Sequence, residues 1–85
     1  MTADSVTAEV VPLLTPTQRQ ILEFIRGFFA VHRYPPTIRE IGDGVHLSPS
    51  AIHYQVGQLL EKGWIRRVPG LPRTIEVLDP ATGGE

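Results

Sequence analysis

The sequence predicts a mainly α domain closed by a small β-hairpin, in the order α-α-α-β-β. Three observations predict it. Two capping boxes and one Ser-Pro start open three amphipathic stretches. After Gly63 the apolar period changes from helical to strand-like, and a Pro-Gly-Leu-Pro run then splits that stretch in two. The 85 residues make one small domain at most, with a compact core and a narrow stability margin.

Thr15-Pro16-Thr17-Gln18 opens the first helix. Thr stands at the N-cap, Pro at N1 and Gln at N3, so cap and N3 side chains satisfy each other's backbone donors. Ile21, Leu22, Ile25, Phe28 and Phe29 mark its apolar face. It ends near His32, because Tyr34-Pro35-Pro36 forces extended backbone. Thr37-Ile38-Arg39-Glu40 is a second capping box and starts a short helix that buries Ile38, Ile41 and Val45. Gly42 and Gly44 weaken that helix intrinsically, so tertiary packing must hold it. Ser48-Pro49 opens a third helix with a buried stripe of Ile52, Val56, Leu59 and Leu60, and Gly63 ends it in a left-handed conformation after Lys62.

Residues 64–68 and 73–78 are rich in β-branched and aromatic types, with Pro69-Gly70-Leu71-Pro72 as the turn between them. A lone hairpin is marginal in water, so this one must pack on the helices through Trp64, Ile65, Ile75 and Val77. Trp64 is therefore read as core, not as a stacking platform. Residues 1–12 show no sustained period and read as a flexible arm, residues 13–78 as the domain, and residues 79–85 as a tail or the start of a linker.

A short helix, a tight turn around His46-Leu47 and a longer helix with a polar outer face form a helix-turn-helix; the hairpin adds a wing, giving a three-helix winged helix-turn-helix. In such motifs the second helix of the pair enters the major groove of duplex DNA, with its N-terminal residues at base edges. With Ile52 inward, Ser50, Tyr54 and Gly57 point the opposite way, flanked by Ala51, His53 and Gln58, and none of them is acidic. Ser, His, Tyr and Gln donate or accept at base edges, and the Ala51 methyl suits a thymine methyl. Gly57 costs about 1 kcal/mol relative to Ala in mid-helix; close approach to a phosphate backbone, a packing constraint and drift all account for it.

Phosphate contacts are expected from Ser48 and the free N–H groups beside it, from Thr37 and Arg39 at the start of the second helix, from Gln58, and from Arg67 and Arg73 flanking the hairpin turn. Arg39 is equally a candidate partner for Asp43, and Arg66 and Arg67 are equally ordinary strand-surface charges. The formal net charge is −1, but residues 13–78 hold all eight basic side chains against five acidic ones, a net of +3, while the two ends carry −4. A positive body is what phosphate contact asks for.

The run LTPTQRQILEFIRGFFAVHRYPPTIREIGDGVHLSPSAIHYQVGQLLEKGWIRRVPGLPRTIEVL, residues 14–78, resembles the N-terminal DNA-binding domain of the LexA repressors, regulators of the bacterial DNA-damage (SOS) response. LTPTQRQIL, YPPTIREIG, LLEKGWIRR and PGLPRTIEVL occur in matching order and spacing, and their combination is what makes the resemblance specific. It implies transcriptional repression at a palindromic operator, usually by a dimer, with base-reading positions on Ser48, Ser50, Ala51, His53 and Tyr54. Three features depart from the family pattern. The turn VHLSPS is one residue shorter, His46 replaces the usual turn glycine, and the recognition face carries its own residue set, so the usual operator is not implied. Full-length relatives carry a peptidase domain with a Ser-Lys dyad that cuts at an Ala-Gly bond. Here Lys62 is the only lysine and no Ala-Gly pair occurs, so these residues are expected to lack that domain, as a free-standing regulator or as part of a longer chain.

Several classes are set aside. With no cysteine there is neither a disulfide framework nor a thiolate metal site. No apolar run reaches the roughly 20 residues that span a membrane, and no basic n-region precedes an apolar stretch, so the expected place is the bacterial cytoplasm, on the nucleoid when bound. His32, His46 and His53 share no helix face at ligand spacing, and Ser48 and Ser50 lack a base and its orienter; no metal, cofactor, small-molecule substrate or catalysis is expected. The competing reading is a winged helix that has lost DNA binding and presents its wing or third helix to a protein partner. Two copies on a palindrome would pair through the wing, the N-terminal arm, or Phe28 and Phe29.

Overall fold

The computed structural model describes residues 13–78; the arm expected at 1–12 and the tail at 79–85 lie outside the described residues. Three helices come first: α1 (Pro16–His32), α2 (Ile38–Val45) and α3 (Pro49–Lys62). An antiparallel pair follows, β1 (Ile65–Arg66) and β2 (Glu76–Val77), in register Ile65↔Val77 and Arg66↔Glu76. No helix among the described residues is long and apolar enough to cross a membrane.

Both capping boxes form. Thr15 Oγ1 accepts from Gln18 N–H (3.1 Å) while Gln18 Oε1 accepts from Thr15 N–H (3.1 Å). Thr37 and Glu40 repeat the exchange at 3.1 and 2.9 Å. Ser48 caps α3 by accepting from Ala51 N–H (3.2 Å). All three helices end on a left-handed residue: Arg33 (φ 69°), His46 (φ 64°) and Gly63 (φ 82°). After α3 the Trp64 N–H reaches the Leu59 carbonyl and the Gly63 N–H the Leu60 carbonyl, a Schellman closure for which glycine is the least strained residue. His46 adopts the conformation that the missing turn glycine would have taken more cheaply.

The core is Ile21, Leu22 and Ile25 of α1, Ile41 of α2, Ile52, Val56 and Leu59 of α3, and Ile65 and Ile75 of the hairpin. Of the expected stripes, Ile38 and Val45 are only partly buried against it, Phe28 is half-buried in a ring cluster with Phe24, His32 and Tyr34, and Phe29 and Leu60 are exposed. Phe29 is 47% exposed because the last turns of α1 run past the core and leave the ring at the rim of an open groove beside Pro35 and Leu78. Leu60 is 39% exposed; at 3.6 residues per turn it stands about 80° around α3 from Ile52, at the edge of the stripe. Phe24, left out of the sequence stripe, packs on the core instead.

The ladder is shorter than the 64–68 and 73–78 strands expected. Arg73 is left-handed (φ 58°), which breaks the extended run before Ile75, and the two prolines of the turn have no N–H to give. The Thr74 hydroxyl substitutes for a ladder bond by accepting from Val68 N–H (3.0 Å), and the turn closes with Leu71 N–H donating to the Val68 carbonyl (3.1 Å) over Gly70 (φ 83°).

The α2 glycines have a steric reason that composition does not show. A Cβ on Gly42 would stand 2.6 Å from the Leu47 carbonyl oxygen, and one on Gly44 would meet the Phe24 ring at 2.2 Å. Gly42 thereby lets the turn fold back, with Leu47 N–H on its own carbonyl (2.9 Å). A Cβ on Gly57 would touch nothing within 4 Å, so intrachain packing does not require that glycine. The two positions therefore respond to alanine with opposite signs. Gly42→Ala destabilises by about 1–3 kcal/mol through overpacking against backbone, whereas Gly57→Ala stabilises by up to about 1 kcal/mol through helix propensity. Urea unfolding of the two variants checks both signs.

Candidate nucleic-acid interface

The third helix presents two faces of unlike chemistry. Ile52, Val56 and Leu59 anchor its inner face, while Ser48, Ser50, His53 and Gly57 are exposed, Tyr54 is 64% exposed, and Ala51 and Gln58 are half-buried at the margins. Between Pro49 and Gln58 no side chain is acidic. The structure thus gathers Ser48, Ser50, Ala51, His53 and Tyr54 on the first turns of one helix, and Gln58 one turn beyond Tyr54.

Two buttresses hold this helix and the wing, and neither was visible in the sequence. The first is Gln18, 3% exposed, which lies on the α1 face at i−3, i−4 and i−7 from Ile21, Leu22 and Ile25. Its capping oxygen also accepts from Lys62 Nζ (2.8 Å), and its Nε2 donates to Gln55 Oε1 (3.1 Å). Lys62 Nζ donates as well to the Leu13 carbonyl (2.8 Å). One buried amide therefore ties the start of α1 to the middle and the end of α3. Its position in the apolar stripe was the available signal.

The second buttress is Glu40. Besides closing the α2 cap it receives both arms of Arg73, Nη1 to Oε1 (3.0 Å) and Nη2 to Oε2 (3.1 Å). Arg73 also donates to the Pro35 carbonyl (3.2 Å) and lies 4.7 Å over the Tyr34 ring, which packs edge-on against Phe28. These contacts hold a left-handed arginine and dock the wing on α2. The Arg73 hydrogen bond, helped by the Thr37 N–H, keeps the Glu40 carboxyl below the usual carboxylate range. A carboxylate with a depressed folded pKa contributes stability above its unfolded pKa, about 4.3, and loses it as pH falls through the lower folded value. Glu40→Gln keeps a side chain able to close the cap but removes the charge. Its melting temperature should fall below that of the parent at neutral pH, with the gap closing as pH drops below about 4. Thermal melts across pH check this.

Among the described residues the other ion pair is Arg66–Glu76 (2.7 Å), an exposed cross-strand contact of small energetic weight. Among those residues Arg39 makes no ion pair with Asp43, and Arg67 is half-buried with no acidic partner. Thr37 uses its hydroxyl in the cap. No group of three or more potential metal ligands occurs among the described residues.

Three helices, an α2–α3 turn closed through Gly42, an outer face on α3 that carries no acidic residue from Pro49 to Gln58 and a hairpin fastened to α2 define a winged helix-turn-helix domain. The model of the LexA DNA binding domain matches residues 12–74, and the chain belongs to that family. Similar proteins include the LexA repressor of Frankia alni, 50% identical over 68 residues, which are 79% of this chain and 27% of that protein. The LexA repressor of Geobacillus thermodenitrificans is 49% identical over 67 residues, 78% of this chain and 32% of that one. That of Desulfitobacterium hafniense is 46% identical over 72 residues, 84% and 35% respectively. The chain thus spans between about a quarter and a third of the length of these relatives.

Proposed function

We propose that this domain binds duplex DNA in a sequence-specific manner and represses transcription in the bacterial DNA-damage response. The observation that carries the reading is the amphipathic division of α3: a buried apolar stripe holds the rod, and His53 and Tyr54 are exposed on the opposite side in a stretch, Pro49 to Gln58, that holds no acidic residue. Ser50, Ala51, His53 and Tyr54 meet base edges, with Ser48 and the first-turn N–H groups at the groove's lip. Gln58, Thr37, Arg39 and Arg67 approach phosphates. Arg73, engaged by Glu40, sets the wing that brings Arg67 there and reaches a phosphate only from within that pair. Two copies act on a palindromic operator, because half-sites spaced by about 34–36 Å present the same face of the duplex twice. Nothing in this mechanism uses a cofactor or a catalytic group.

Selection of duplexes from a random pool, followed by titration across salt, tests the reading. The expected result is a two-fold symmetric consensus whose affinity falls steeply with salt, at a log–log slope of about −0.9 per phosphate neutralised. Equal and weak binding to every duplex, alongside capture of a protein partner that survives high salt, would favour the protein-interaction reading instead.

A further inference from the structure

A cleft of about 370 Å³ separates the start of α2 from the wing, and its walls bring together Thr37, Ile38 and Arg39 on one side and Arg67, Gly70 and Arg73 on the other. We propose that this cleft is a seat for one phosphodiester of the DNA backbone, gripped jointly by Arg39 and Arg67. The proposal rests on the duplex-binding reading above and makes it specific: two residues 28 positions apart (39 and 67) read the same phosphate.

The charges are the first argument. Three guanidinium groups and one carboxylate, Glu40, line or border the cleft, a surplus of two positive charges. Glu40 is committed to Arg73 through both oxygens, so it does not neutralise the other two. Arg39 and Arg67 have no acidic partner among the described residues, yet both border the same hollow. Two like charges around one space are mutually unfavourable until an anion enters.

The backbone is the second argument. The α2 cap uses the N–H groups of Thr37 and Glu40, which leaves the donors of Ile38 and Arg39 at the positive end of the helix and at the rim of the same cleft. Placement is the third. Arg67, the residue after β1, is half-buried and lines the cleft together with the start of α2. The Glu40–Arg73 clamp ties the wing to the start of α2, the two walls of the cleft.

The test is a scan of the selected duplex in which one backbone phosphate at a time is replaced by a neutral methylphosphonate, against the parent, Arg39→Gln and Arg67→Gln. The parent should lose about tenfold in affinity at one phosphate per half-site, the effect of one charge-assisted hydrogen bond. In both variants that penalty should shrink at the same position. The salt slope supplies a second readout: each single variant leaves one arginine on the phosphate and lowers the slope by less than one, and the double variant lowers it by about one, since both arginines serve one phosphate. Penalties relieved at different positions, or a double variant that lowers the slope by two, would overturn the shared seat while leaving duplex binding intact. Inorganic phosphate that shifts the Arg39 and Arg67 signals while no backbone position proves sensitive would assign the cleft to a free anion and overturn it equally. A parent that binds no duplex would bring down the seat together with the reading beneath it.

Discussion

Replacing both His53 and Tyr54 by alanine should erase most of the preference for the selected duplex over a scrambled one while leaving the fold unchanged. Both side chains are exposed on α3, and neither makes a ring contact or ion pair among the described residues. Truncation at such surface positions usually moves stability by no more than about 0.5 kcal/mol. A good base contact contributes about 1–3 kcal/mol of discrimination, so the pair together accounts for a preference of at least tenfold and up to several orders of magnitude. Residual affinity should persist and keep its salt slope, because Arg39 and Arg67 are untouched. Competition titrations with the two duplexes, alongside a thermal melt, separate lost reading from lost folding.

The second large effect belongs to the opposite face of the same helix. Ile52 is fully buried, in the core cluster shared by α1, α2, α3 and the hairpin, and packs close to Gly42. Ile52→Ala should cost about 2–5 kcal/mol, the transfer energy of the lost carbons plus the cavity they leave. Small domains have total stabilities near the low end of about 5–15 kcal/mol, so this one change removes a large share of the folded margin. The melting temperature should fall by about 8 °C or more at the 4–8 °C per kcal/mol usual for this size. Binding is then lost through the rod's anchor and not through any contact with DNA. Calorimetry measures it directly, and a shift of only a degree or two would contradict the packing described.

What could be read from sequence was local. The capping boxes at Thr15 and Thr37, the Ser48-Pro49 start and the Gly63 stop each depend on residues within a few positions, and all four formed as expected. The relations that escaped join distant positions. Gln18 with Gln55 and Lys62, and Glu40 with Arg73, are separated by 33 to 44 residues, and each acid or amide already had a sufficient local role as a cap. The α2 glycines were read as a weakness, yet Gly42 is small because a carbonyl passes over it. Left-handed Arg33 and Arg73 carry no compositional mark, since arginine has no preference for that region. Of the candidate site, the polar face of α3 was legible from its period. The commitment of Arg73 to Glu40 was not, because it depends on how the wing folds back.

The central claim is that the outer face of α3 meets the duplex. Titrating the isotope-labelled domain with the selected duplex and following its amide signals tests that claim most directly. The largest shifts should fall between Ser48 and Gln58, with a second group at Thr37, Arg39 and Arg67. Shifts confined to the outer surface of α1 around Phe29 and Val31, with His53 and Tyr54 undisturbed, would contradict it.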